Sequence, residues 1–321
     1  MPDRVSDRVR RIVTVSTWSA AAVALACGIV ACAATKAPVN DTDAPPLSEA
    51  HSPGRFQDME IKEASGLASS SREPGVFWTH NDSGNDERVF AFDTTGHRLG
   101  ALRVAGARNR DWEAIARGPC DRSSCLYVGD VGDNFARQQG VRLYRIAEPL
   151  AADTVSSSAE QITITYPDGA RDVESIWVTP DTSVYLLTKR HDQDPSGGYR
   201  AVRLYRVPAS AWKGTTPVVA EFVDSLPITP TKKDKSTWLT DAAFSDADVR
   251  GERRLAVRSY GEVFVFAVTS GTWKPGALLA TCSLSGLKES KSGEGVTWLP
   301  DGRLLFDAEA QGARLHVGRC P

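Results

Sequence analysis

Short apolar runs separated by polar turn clusters fill the chain from Arg55 onward, and beyond the N-terminal region no stretch keeps helical periodicity over three turns. That pattern predicts strands joined by tight turns. The runs recur in a fixed order, and an acid followed by a small residue opens each set: Glu63-Ala-Ser-Gly-Leu, Glu113-Ala-Ile-Ala, Glu174-Ser-Ile-Trp, Asp241-Ala-Ala-Phe and Glu294-Gly-Val-Thr-Trp. A second run follows each time, for example Val76-Phe-Trp-Thr79 and Val184-Tyr-Leu-Leu187. A third run has the β-branched and aromatic enrichment of strands, and Arg-Leu-Tyr-Arg appears twice, at Arg142–Arg145 and Arg203–Arg206. Asp93-Thr-Thr-Gly96, Pro167-Asp-Gly169 and Pro300-Asp-Gly302 supply turns of the kind short hairpins need.

Successive leading acids lie 50, 61, 67 and 53 residues apart, too far and too unevenly for a helical solenoid. Recurrence at this period is the signature of radial β-architecture. The expected fold is all-β, a β-propeller of five four-stranded blades in a single domain spanning 55–321, with six blades as the alternative. Outer strands are expected at Leu99–Val104, Gln161–Tyr166, Val218–Val223 and Leu278–Leu284. The fifth set lacks one. The segment Phe56–Ile61 is expected to pair with the last sheet and close the ring, which removes exposed edges.

The N-terminus reads differently. Arg4, Arg8, Arg10 and Arg11 precede an almost uncharged run from Ile12 to Ala34, the layout of an export signal over residues 1–32. Ile29-Val30-Ala31-Cys32 resembles a bacterial lipoprotein box, which makes Cys32 the expected lipidation site; plain cleavage and a retained anchor are the alternatives. Residues 33–54 are polar and read as a disordered tether. The domain is therefore expected outside the cell, lipid-anchored at the outer face of the membrane or secreted. Four further cysteines in an oxidising compartment predict disulfides, Cys120 with Cys125 across a short turn and Cys282 with Cys320. A formal net charge of -2 gives no footing for nucleic acid, and the chain is expected to act as a monomer.

In a propeller the innermost strands surround a channel, so Glu63, Glu113, Glu174, Asp241 and Glu294 are expected to meet at its mouth. Several carboxylates in one volume cannot all ionise cheaply without a cation, and calcium accepts irregular coordination by six to eight oxygens. Those five are the expected metal ligands; capping of strand ends is the structural alternative. Asp111 and Asp172, each two residues before a repeat glutamate, are the candidate catalytic acids or bases. Polar residues ending the second strands, His80, Asp82, Asp130, Asn134, Lys189, Arg190 and Arg258, are candidate ligand-binding groups. Strand reversal is expected to put them at the end away from the leading acids.

Glu63-Ala-Ser-Gly-Leu, Trp78-Thr-His-Asn-Asp-Ser-Gly, Asp111-Trp-Glu-Ala-Ile-Ala, Tyr127-Val-Gly-Asp-Val-Gly-Asp-Asn and Asp172-Val-Glu-Ser-Ile resemble segments of a largely uncharacterised group of exported bacterial β-propeller proteins. The resemblance spans Arg55 to Cys320 and implies fold and export. More distantly, the acid-led inner strands resemble calcium-bearing propellers of the gluconolactonase and phytase types, whose full ligand sets this chain lacks. The expected function is a cell-surface propeller binding a divalent cation and a small polar or anionic ligand, with metal-dependent hydrolysis of esters or lactones as its chemistry. The alternative is a non-enzymatic scaffold binding protein or glycan.

Overall fold

A computed structural model describes residues 44–121, 123–190, 201–214, 217–228, 235–289 and 292–321. The first strand in the chain, β1 (Ser48–Arg55), belongs to the last sheet. The first sheet is β2 (Ala64–Ser69), β3 (Phe77–Asn81), β4 (Arg88–Phe92) and β5 (Arg98–Arg103). The second is β6 (Trp112–Cys120), β7 (Ser123–Asp130), β8 (Val141–Ala147) and β9 (Glu160–Thr165), and the third is β10 (Val173–Val178), β11 (Val184–Thr188) and β12 (Arg203–Val207). Two-residue β13 (Val218–Val219) adds to β9 in parallel, and β14 (Glu221–Ser225) completes the third sheet. The fourth sheet is β15 (Leu239–Phe244), β16 (Arg254–Ser259), β17 (Glu262–Val268) and β18 (Pro275–Ser283). The fifth is β19 (Val296–Trp298), β20 (Leu304–Phe306) and β21 (Arg314–Arg319), with β1 outermost.

Each sheet is apolar on both faces and buries them against its two neighbours. Trp78 and Trp112 share a cluster between the first and second sheets, and Tyr127 and Leu186 one between the second and third. Trp177 and Val257 join the third to the fourth, Val263 and Phe306 the fourth to the fifth, and Phe92 and Leu315 the fifth to the first. Five interfaces linking five sheets in cyclic order make a ring, with β2, β6, β10, β15 and β19 touching one another around the axis. The fold is a five-bladed β-propeller.

The closing strand lies earlier than expected. β1 pairs antiparallel with β21 from Ser48↔Arg319 to Arg55↔Arg314, so part of the expected tether is an outer strand. Its side chains are mostly exposed, so no apolar alternation marks it; backbone pairing holds it. Phe56 and Ile61, expected as that strand, are instead buried core residues at the junction with the first sheet. Val218–Val223 divides at buried Ala220, one part going to each of two sheets.

Both expected disulfides form, Cys120–Cys125 within the β6–β7 hairpin and Cys282–Cys320 between the fourth and fifth sheets. Such bonds fit an oxidising, extracellular setting. With sequence separations of 38 and 5, loop entropy gives about 4 kcal/mol for Cys282–Cys320 and about 2 kcal/mol for Cys120–Cys125. Denaturant unfolding of the two double serine variants checks that order, and equal losses would contradict the loop-entropy account of the longer bridge. Among the described residues no helix is long and apolar enough to cross a membrane. The export signal, Cys32 and tether residues 33–43 lie outside the described residues.

Candidate cation and ligand site

One backbone hydrogen bond repeats in all five sheets. The N–H at or just beyond the end of the second strand donates to the carbonyl two residues before a side chain on the innermost strand. The pairs are Asp82 to Glu63 at 2.9 Å, Gly132 to Asp111 at 3.2 Å, Lys189 to Asp172 at 3.0 Å, Tyr260 to Trp238 at 3.2 Å and Glu309 to Ser292 at 2.6 Å. Antiparallel pairing thus puts second-strand ends beside the starts of the inner strands, at the same end of the channel and not the opposite one. By this register the innermost ring is Ser65, Glu113, Glu174, Thr240 and Glu294.

A cavity of about 180 Å³ opens there. Ser65 and Asp82 line it from the first sheet, Glu113 and Asn134 from the second, Glu174 and Lys189 from the third, Tyr260 from the fourth, and Glu294 and Glu309 from the fifth. Further along the inner strands Leu67, Ile115, Trp177 and Ala242 line a small void of about 30 Å³.

Glu113, Glu174 and Glu294 stand on the cavity as expected. Asp241 does not: the irregularity that falls on Glu113 in β6 and on Glu174 in β10 falls on Thr240 in β15, so Asp241 stands one residue past the equivalent position. The counterpart of those glutamates is Thr240, and one residue of slip reverses the face. Asp241 is fully buried; its Oδ2 accepts the N–H of Leu67 at 3.1 Å and of Val296 at 2.8 Å, and its Oδ1 that of Ala242 at 2.8 Å. It staples the first, fourth and fifth inner strands together. Glu63 is in register with Asp111 and Asp172, exposed at the rim, where its Oε2 accepts from Asn85 at 2.7 Å.

Among the candidate ligand-binding groups, Asp82, Asn134 and Lys189 face the cavity. Arg190 turns to Asn134, donating to its backbone oxygen at 3.0 Å and its side-chain oxygen at 2.6 Å, and stacks on Trp238. His80 is buried against Trp112, and burial pulls its pKa down to about 4, so it is neutral and away from the cavity. Asp130 is buried behind Asp111 and accepts its N–H at 2.8 Å. Arg258 is buried beneath Glu294, donating to the carbonyls of Gly295 and Asp307 and lying 3.8 Å from the Asp307 carboxylate. Asp172 is also withdrawn, accepting the Asp133 N–H at 3.0 Å.

Sequence reasoning did not single out Ser65, whereas Tyr260 and Glu309 are among the polar residues that end second strands in the sequence, outside the seven candidate ligand-binding groups. Their signal was positional: aligned on second-strand ends, Tyr260 and Glu309 match Asp82 and Lys189.

The cavity carries far more acid than base. Burial first, then Glu174 and Asp82, push Glu113 well above the carboxylate range. Burial lifts Glu174 to about 8 against the opposing pull of Lys189, and lifts Glu294 well above normal. Asp111 rises to about 6 through burial and the charges of Asp82, Asp172 and Asp130. Burial also raises Asp82 and Glu309. Lys189, bonded to Glu174 Oε1 at 2.5 Å, keeps its proton: burial works against the charge, and Glu174 more than offsets it.

Carboxylate oxygens of Asp82, Asp111 and Glu113 lie within 4.8 Å of one another, a grouping that can hold a metal ion. Room for it comes from Gly132, where a Cβ would fall 2.5 Å from Asp111 Oδ2 and 2.8 Å from Glu113 Cγ. Glu174 Oε2 and Glu294 Oε2 line the same cavity, buried without a hydrogen-bond donor, and Glu174 lies against Glu113. The lining has carboxylates, an amide and hydroxyls but neither thiol nor imidazole, a donor set suited to a hard cation.

No family model and no curated protein sequence matches this chain. Similar solved structures include a gluconolactonase from Xanthomonas campestris, 14% identical over 88% of this chain and 87% of that one with a TM-score of 0.40. A glucose dehydrogenase is 10% identical over 84% of this chain and 98% of its own, TM-score 0.45. A streptogramin B lyase is 8% identical over 85% and 97%, TM-score 0.40. None of these likenesses bears on the chemistry of the cavity.

Proposed function

We propose that the cavity binds one calcium ion at Asp82, Asp111 and Glu113, together with a small polar or anionic ligand that faces Lys189. One observation carries this: two sheets bring three carboxylates within 4.8 Å, and among the described residues none of the three is ion-paired to a basic side chain. Lys189 is committed to Glu174 on its own sheet. Like charges held this close need a cation or a proton.

Hydrolysis of an ester or lactone is the chemistry such a site would support. A bound cation would supply Lewis acidity there. Of the chain's own groups, Lys189 orients an anionic ligand, and Glu174, through its free Oε2, is the carboxylate available to take up a proton. This moves the base from Asp111 and Asp172, since the first belongs to the cation group and the second is withdrawn. We also assign the domain to the cell exterior, which the two disulfides support, and its anchorage to a lipid on Cys32, which rests on the sequence Ile29-Val30-Ala31-Cys32.

Calcium added to chelator-treated protein should stabilise it by about 2.7 kcal/mol at a hundredfold excess over Kd. Glu113→Gln should remove most of that gain, and Glu63→Gln on the rim should keep it; thermal melts decide. A gain untouched by Glu113→Gln and Asp82→Asn would refute the site. Ester and lactone substrates assayed with calcium and with chelator then test turnover, and no calcium-dependent rate would leave a binding scaffold.

A further inference from the structure

We propose that Lys189 stands in for a second cation, occupying a place in the cavity that would otherwise hold a metal ion, and so limits the site to one calcium. This rests on the calcium reading above. The repeating backbone hydrogen bond makes Lys189 equivalent to Asp82 and Glu309, so the third sheet carries an ammonium where two others carry acids.

The surroundings of Lys189 are those of a cation site. Its Nζ lies 2.5 Å from Glu174 Oε1, and the side chain is only 10% exposed. Glu174 Oε2 and Glu294 Oε2, both buried, line the same cavity without a donor, while Tyr260 donates to Glu294 Oε1 at 2.9 Å. Oxygens with free lone pairs around a compact point charge are the ligand set of a hard ion, and an ammonium on a flexible stem fills such a place with little geometric demand. An anion bound to calcium then meets the ammonium opposite, where a two-ion cavity would present a second metal.

Equilibrium dialysis and calorimetry with calcium as the probe test this by stoichiometry. The wild-type protein should bind one ion per chain and Lys189→Met two, and adding Glu174→Gln to Lys189→Met should return it to one. Removing Lys189 leaves Glu174 unpaired and costs stability, so Lys189→Gln is measured alongside, and both variants should gain more thermal stability from calcium than the wild type. One ion in the wild type and one in both variants would overturn the role of Lys189 while leaving the calcium site standing. None in the wild type but one in Lys189→Met would overturn the wild-type calcium site and keep Lys189 as the blocking cation. None in any of them would overturn both.

Discussion

Calcium affinity rises with pH through about 6, the value to which burial lifts the ligand Asp111, and the bound charge also favours ionisation of nearby Glu174, which burial lifts to about 8. A hard cation binds the ionised carboxylate, so each proton it displaces contributes about tenfold in affinity per pH unit. Without the cation these groups work against the fold. Glu174 ordinarily titrates at 4.5 and in the folded protein at about 8, so between those values the native state holds more protons than the unfolded one. Stability then falls as pH rises through that window, with a limiting slope of about 1.4 kcal/mol per pH unit for each proton. Below the unfolded value both states are protonated and this contribution is intact. Melting curves with chelator should slope downward from pH 5 to 8 and flatten with saturating calcium. A flat chelated curve would mean that the cavity acids are ionised and compensated in some other way.

Asp241→Ala should be among the most destabilising single changes, at about 3–5 kcal/mol. It removes the acceptor from three buried N–H groups on the inner strands of three sheets, and orphaning each costs about 1–3 kcal/mol. The loss should be the same with chelator and with calcium, because Asp241 is away from the cavity. Urea unfolding in both conditions measures it. A deficit confined to calcium buffer would make Asp241 a cation ligand after all.

Much of the ring was legible in the sequence because its strands are buried on both faces. Apolar runs such as Val184–Thr188 and the doubled Arg-Leu-Tyr-Arg carried the strand order, and the spacing of the acids carried the blade number. β1 was not legible, since an exposed outer strand held by backbone pairing has no apolar stripe. For the site, motif similarity found Glu113, Glu174 and Glu294 but mistook the register of Asp241 and Glu63. That the acid in β15 comes one residue after the bulge, and not on it as in β6 and β10, is invisible in composition, yet it decides whether a carboxylate faces the axis or the strands behind it. Arg258 resembled a ligand-binding cation in sequence. In the fold its fully buried guanidinium clamps the Gly295 carbonyl and sits over the Phe306 ring, a role set by a neighbouring sheet distant in the chain.

Anomalous scattering from a crystal soaked in terbium, a calcium substitute, locates the ion directly. The strongest peak should lie between the carboxylates of Asp82, Asp111 and Glu113, beside Gly132. A cavity without a peak, with terbium only on exposed acids such as Asp246 and Asp248 on the loop that follows β15, would contradict the proposed cation site.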